Sequence, residues 1–460
     1  MSKVDRSRLP YPDYIPSFDL PEVVKHSLEN GLSLWTVEHR NVPLVTALLL
    51  LPVGSSSDPV TRPGLAAATA DLLDEGAGGL SGLELNDEVD RIGGRLSIGV
   101  NSDMTVLRLF MLARFKERGL SILSDLVTRP HLLAEDFERV RQLRLNRLTQ
   151  LGQDPSAIAN RVFMSLVYGA GHPYGHQPIG TEESLKELKL TELASFFRMA
   201  YKPDGATLIV VGDASHDDLV RAAQESFSDW QSEDHLTSGA FIRDPDDALA
   251  FPAVSRRLAI VHRKSSAQSV LRMGLPASSR KNSDYHTMQV FNMVLGGQFT
   301  SRIMLNLREE KGYTYGASTS FDFRRGLGPF VMGTSVKTSV TVDAIREVLI
   351  EFQKICEEYP VTEVELTVAK AALTNGYSRK FQTAEQVANA LGELAAYGLS
   401  QDELMEFPLR VSRVDVDGVT RVARKYLDVD RLLTVVVGDR DVIGPSLDSL
   451  TLGTEVAVVY

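Results

Sequence analysis

Hydrophobic positions along the chain change period several times, and the changes mark out elements. Gly31-Leu32-Ser33-Leu34-Trp35-Thr36-Val37 alternates, and Leu44 to Val53 is almost wholly apolar. His39-Arg40-Asn41-Val42-Pro43 reads as a turn between them, which predicts an antiparallel pair whose second strand is buried on both faces. Helical spacing begins at Pro63-Gly64-Leu65-Ala66-Ala67-Ala68-Thr69-Ala70-Asp71-Leu72-Leu73, with Pro63 suited to a first turn and Gly76 to a stop. Leu83 to Ile92 predicts a second helix, closed by Gly93-Gly94. Arg95 to Val100 and Met104 to Ala113 read as strands, and Phe115 to about Tyr168 as helical. Ahead of all this, Pro10, Pro12, Pro16 and Pro21 predict an extended arm, since each disfavours helix.

The apolar run Thr207-Leu208-Ile209-Val210-Val211-Gly212-Asp213 has a twin in Leu432-Leu433-Thr434-Val435-Val436-Val437-Gly438-Asp439. A tyrosine precedes each at a similar offset (Tyr201, Tyr426). Ala134-Glu135-Asp136-Phe137 opens a helix in the first half, as Val361-Thr362-Glu363-Val364 does in the second. Parallels in the same order imply a duplication. The expected class is α+β, with two homologous halves, each a mostly antiparallel sheet with helices packed on it. We place the halves at 1–235 and 255–460. The polar stretch 236–254, with Asp244-Pro245-Asp246-Asp247, has the composition of a linker.

Charge and cysteine content narrow the function. Hydrophobic residues make up 43% and charged residues 24%, enough apolar material for a large core. The net charge of -11 argues against nucleic acid and anionic membranes as main partners, because both demand a basic surface. A basic cavity within an acidic protein is still compatible with that balance. The single cysteine, Cys356, excludes an intrachain disulfide and fits a reducing compartment. The N-terminal segment lacks the apolar stretch of a secretory signal, and the most apolar run, Ala47 to Leu51, falls far short of the ~20 residues a bilayer span needs. A soluble, cytoplasmic protein is expected.

Candidate chemistry is sparse. His172-Pro173-Tyr174-Gly175-His176 has i, i+4 histidines, but Pro173 and Gly175 oppose the helix that would aim both at one metal; a connecting turn is the better reading. Asp71, Asp74 and Glu75 form an acidic group that reads as a solvated helix end. Gly296-Gly297 lacks the pattern of a phosphate-binding turn. The strongest local signal is Leu307-Arg308-Glu309-Glu310-Lys311-Gly312-Tyr313-Thr314-Tyr315-Gly316. Arg308 is expected in the last turn of a helix that Gly312 ends. Tyr313 and Tyr315 are expected on one face of the following strand. A guanidinium and a phenol converging there would be two donors suited to a peptide carbonyl or a developing oxyanion. An ordinary paired arginine with two packed tyrosines is the competing reading.

That segment resembles the arginine–tyrosine motif of the insulinase/pitrilysin (inverzincin) zinc metallopeptidases. The resemblance runs from about Val24 to Asp439 and takes in the repeat, Pro63-Gly64-Leu65-Ala66, the His172-Pro173-Tyr174-Gly175 turn, and Gly296-Gly297-Gln298-Phe299-Thr300-Ser301-Arg302. Active chains of that family carry H-x-x-E-H, two zinc ligands and a base, on the first helix. The matching positions here are Ala67, Ala70 and Asp71, and the region of the distant glutamate ligand reads Arg144-Leu145-Asn146-Arg147-Leu148. An alanine can neither ligate zinc nor accept a proton from water.

The resemblance therefore implies the metal-free subunit of a heterodimer, two such chains closing as a clamshell. It implies catalytic roles for Arg308 and Tyr315, with Gly312 and Tyr313 in substrate binding and no metal on this chain. The implied partner is a homologous H-x-x-E-H subunit holding Zn²⁺, and the substrates are peptides. The alternatives are an inert core subunit of a larger complex and a stand-alone peptide-binding homodimer.

Overall fold

The computed structural model describes residues 20–169, 171–232, 257–447 and 449–456. Pro10, Pro12 and Pro16 of the proline-rich arm, and the linker 236–254, lie outside the described residues. Twelve strands form two six-stranded sheets. The first contains β1 (Val24–Ser27), β2 (Ser33–Glu38), β3 (Leu44–Leu51), β4 (Arg95–Val100), β5 (Thr105–Leu112) and β6 (Thr207–Gly212), in the order β1-β2-β6-β3-β5-β4. The second contains β7 (Arg257–His262), β8 (Gln268–Ser278), β9 (Ala317–Phe321), β10 (Gly328–Lys337), β11 (Leu433–Gly438) and β12 (Thr454–Glu455), in the order β9-β10-β8-β11-β7-β12.

The two sheets follow one plan. In the first, β6 runs parallel to β2 (Ser33 opposite Thr207) and antiparallel to β3 (Thr46 opposite Val211). In the second, β11 runs parallel to β7 (Leu433 opposite Arg257) and antiparallel to β8 (Val437 opposite Val270). The twin Gly-Asp runs are thus equivalent central strands, buried on both faces. The α+β class and the repeat stand as expected. The predicted pairing of β2 with β3 does not occur, because β6 lies between them. A strand as apolar as β3 is best placed with a ladder on each edge, and it takes β6 on one side and β5 on the other.

Five helices position the site and join the halves: α1 (Leu65–Ala70), α2 (Ala134–Leu151), α3 (Pro155–Tyr168), α4 (Glu363–Thr374) and α5 (Ala384–Tyr397). Asp154 caps α3 by accepting from the Ser156 amide, with Pro155 in the first turn. Thr383 and Gln386 form a reciprocal capping box on α5. Two of these helices, α3 and α5, are exchanged between halves. α3 comes from the first half and packs on β8 and β11 of the second sheet, whereas α5 comes from the second half and packs on β3 and β6 of the first. Small residues permit the close approach. A Cβ at Gly274 would fall 2.9 Å from Phe163 Cζ, and one at Gly392 would fall 2.7 Å from Leu48 Cδ2.

A polar knot joins the halves at their centre. The Tyr174 hydroxyl donates to Asp103 Oδ1 at 2.6 Å, and the Arg325 amide donates to Asp103 Oδ2 at 3.0 Å. The Arg325 side chain reaches back to the Pro52 carbonyl of the first half and the Ala396 carbonyl of α5. No described helix is long and apolar enough to cross a membrane.

Candidate functional site

α1 is buried along its whole length, Ala67 and Ala70 included. Its entry depends on Asp58, whose buried carboxylate accepts from the Gly64 and Ala66 amides, each at 2.7 Å. Burial pushes the Asp58 pKa up against those bonds and against His176, whose Nε2 lies 3.5 Å away. His176 Nε2 also sits 2.9 Å from the Ser55 carbonyl. His172 is buried and accepts from the Tyr174 amide through Nδ1 at 3.0 Å. The two histidines therefore serve a turn, as their sequence context implies.

Asp71 follows α1 as its C-terminal cap and meets a cation from α2. Arg144 Nη1 lies 2.5 Å from Asp71 Oδ2, and Arg144 Nη2 donates to the Pro178 and Ile179 carbonyls at 2.7 and 3.0 Å. Glu75 pairs with Arg139. The acidic group that reads as a solvated helix end is thus partly tied down by arginines, and it lies in the turn beyond α1. A hollow of about 370 Å³ beside Asp71 is lined by both Arg144 and Arg147. Two methyl groups, a carboxylate already held by a guanidinium and a second arginine do not make a zinc site. Sequence reasoning missed Arg144 because nothing local marks a buried arginine whose partner is 73 residues away.

His262, Asp439 and Asp441 come together elsewhere, with one ligand-type atom each within 4.8 Å. The Asp439 oxygens accept from the Ser265 and Asp441 amides, and His262 Nδ1 accepts from the Arg440 amide. The bonds from the Arg440 and Asp441 amides serve the first turn of the helix that follows β11, and the Ser265 bond ties the turn before β8 to it.

Arg308 lies in a π-helical turn, Leu305–Glu310, and Gly312 (φ +64°) takes the left-handed conformation that ends it. The Tyr313 amide donates back to the Leu307 carbonyl at 2.8 Å. Tyr313 and Tyr315 do not share a strand face, contrary to the period-two expectation, because β9 begins only at Ala317. Tyr313 packs on the core of the second half, whereas Tyr315 is 91% exposed. Between them Thr314 ties the segment down. Its hydroxyl donates to the Ser335 carbonyl at 2.8 Å and accepts from the Gly316 amide and the Thr334 hydroxyl, each at 3.0 Å.

Arg308 meets Tyr315 through the tyrosine's backbone, not its phenol, and also lies 3.3 Å from the Glu309 carboxylate. Arg308 Nη1 donates to the Tyr315 carbonyl at 3.0 Å, and the guanidinium lies over the Phe299 ring, 4.8 Å from its centroid. Tyr315 also borders a cavity of about 800 Å³ between α3, the turn 176–179 and the outer part of the second sheet.

The fold and site define a duplicated α+β chain whose buried first helix, α1, carries no His, Cys, Asp or Glu. Residues 187–373, which include Arg308 and Tyr315, match the family model described as the peptidase M16 inactive domain. Among curated proteins, an uncharacterized zinc protease of Mycobacterium tuberculosis is 23% identical over 82% of this chain and 84% of its own length. One of Rickettsia felis is 23% identical over 91% and 98%. The crystal structure of a peptidase M16 inactive domain from Pseudomonas fluorescens superposes with a TM-score of 0.82 at 25% identity, covering 91% of this chain and 98% of that one. A protease from Helicobacter pylori shares the fold, with a TM-score of 0.85 at 19% identity over 91% and 100%. The chain is thus similar to peptidase M16 inactive domains, in sequence over residues 187–373 and in fold over most of its length.

Proposed function

We propose that this chain is the non-zinc-binding subunit of a heterodimeric zinc metallopeptidase. A homologous H-x-x-E-H subunit supplies Zn²⁺ and the general base, and this chain supplies Arg308 and Tyr315. The observation that carries the reading is a contrast within one molecule. Two of the three metal-motif positions are alanines in a packed helix and the third, Asp71, is held by Arg144, while Arg308 bonds the Tyr315 carbonyl and Tyr315 is almost wholly exposed. A tyrosine that open, fixed at its backbone by an arginine, is placed to contact another molecule. The guanidinium and phenol hydrogen-bond the substrate backbone and hold the carbonyl oxygen as negative charge grows on it. Gly312 and Tyr313 set the path of the chain between the pair and thereby border the bound peptide.

The test is a mixing experiment. Peptide cleavage is measured for this chain, for an H-x-x-E-H chain encoded beside it, and for the mixture. Only the mixture should cleave, and a chelator should stop it. Arg308→Ala or Tyr315→Phe should reduce the mixture's rate by ~10²–10³ while co-elution on size exclusion persists. Cleavage by this chain alone, or full activity of both variants, refutes the proposal.

A further inference from the structure

The cavity beside Tyr315 contains an unbalanced positive charge. Its floor is the outer part of the second sheet, where Arg272 on β8, Gly333 on β10 and Ser318 on β9 stand opposite one another in a single cross-strand row. Residues opposite one another on neighbouring strands share a face. Gly333 is the position that lets Arg272 extend. A Cβ there would fall 3.2 Å from Arg272 Nη1, so the bare backbone of β10 leaves room for the guanidinium to lie across it towards the edge strand.

Arg272 is half-buried, and its hydrogen-bond partners are neutral. Nε donates to Asn160 Oδ1 at 2.7 Å and Nη1 to the Leu271 carbonyl at 2.9 Å. Among the described residues no carboxylate makes a contact ion pair with it; burial lowers its pKa below the ordinary guanidinium value and outweighs the opposing attraction of Asp154. The cavity's other arginine differs on each count. Arg324 is paired with Asp322 at 2.6 Å and lies over the Tyr174 ring, 4.7 Å from its centroid. With Arg324 neutralised, Arg272 leaves a positive charge in a cavity of a chain whose net charge is -11. A partly desolvated guanidinium with no carboxylate in contact is an incomplete pair, and a carboxylate brought against it completes it with short, charge-assisted bonds. The nearby floor residues, Gly316, Ser318 and Ser335, are small enough to leave space for such a group.

We infer that Arg272 is a specificity-determining residue that receives a carboxylate of the peptide lying beside Tyr315, so that the preferred substrates are acidic peptides. This rests on the peptidase reading for its biological meaning, but the binding preference can be measured without it. The carboxylate has two sources, an Asp or Glu side chain or the peptide's own C-terminus, and the experiment separates them.

Three fluorescein-labelled hexapeptides are titrated into the purified full chain and followed by anisotropy: internal Glu with an amidated C-terminus, internal Gln with an amidated C-terminus, and internal Gln with a free C-terminus. One carboxylate-bearing peptide should bind roughly 10–100-fold tighter than the Gln amide. Arg272→Gln should abolish that ratio and Arg272→Lys should keep part of it, with unchanged urea midpoints as the folding control. Equal affinities for all three peptides in the unaltered chain overturn the inference without recourse to any variant, as does a ratio that survives Arg272→Gln. If the ratio and its Arg272 dependence are found but the mixed subunits do not cleave, the carboxylate site stands and the peptidase proposal falls. Cleavage without the ratio has the opposite meaning.

Discussion

Arg144 Nη1 sits 2.5 Å from the Asp71 carboxylate, joining α2 to the end of α1. Arg144 is buried and Asp71 is nearly half exposed, so the pair is partly screened. Asp71→Asn should lower stability by about 1–2 kcal/mol, read as a shift in urea midpoint at constant m-value.

Restoring the motif letters should not restore the metal. The triple variant Ala67→His, Ala70→Glu, Asp71→His still lacks a third protein ligand. It also leaves the Arg144 and Arg147 charges beside the vacated carboxylate position. Dialysis against zinc followed by elemental analysis should show sub-stoichiometric metal. One tightly held zinc per chain would mean that the two arginines do not keep the ion out.

The segment carrying Tyr315 owes its course to Thr314 and Thr334. Thr314→Val removes the bond to the Ser335 carbonyl and the acceptor used by the Gly316 amide and Thr334. Stability should fall by about 1 kcal/mol. The mixed enzyme should lose roughly tenfold in kcat, since small misplacements of a positioned donor are costly. Thr314→Ser, which keeps the hydroxyl, should recover most of the loss.

Gly312 is required for its backbone angle and not for space, because a Cβ there would meet nothing within 4 Å. Gly312→Ala should cost about 1–2 kcal/mol from the left-handed conformation alone. Gly312→Asn, which tolerates that conformation, should cost less. Thermal melts of the two variants make the comparison.

Acid stability should depend on Asp284. A hydrogen bond from Arg421, with further bonds from Lys425 and Tyr426, holds its pKa down to about 2 from 3.8, against the opposing effect of burial. The folded pKa is the depressed one. The carboxylate's contribution is therefore complete above pH 3.8 and disappears as pH falls from there towards 2. Urea titrations across that window should show a steeper loss of stability for the unaltered chain than for Asp284→Asn.

The sequence reveals the duplication because the strands that carry it, Thr207–Gly212 and Leu433–Gly438, are buried on both faces and so are uniformly apolar. It reveals Arg308 and Tyr315 because Gly312 marks the helix end between them. It conceals whatever depends on distant chain. β6 enters between β2 and β3 from far along the sequence, so the short turn at His39–Pro43 falsely predicts a hairpin. The irregular path of Tyr313–Tyr315 is set by hydrogen bonds to β10, which strand periodicity does not encode. Arg144 and Arg272 look like surface arginines until α1 and α3 are packed against them.

The exchange of α3 and α5 makes each half the lid of the other. Residues 20–232, separated from the rest, would expose the faces of β3 and β6 that α5 now covers, and 257–456 would expose the faces of β8 and β11 beneath α3. Neither fragment encloses a finished interior, so each should precipitate when produced alone and become soluble when both are made in one cell. In this molecule the repeating unit of sequence and the unit of folding are different objects: the first is half a chain, the second the whole of it.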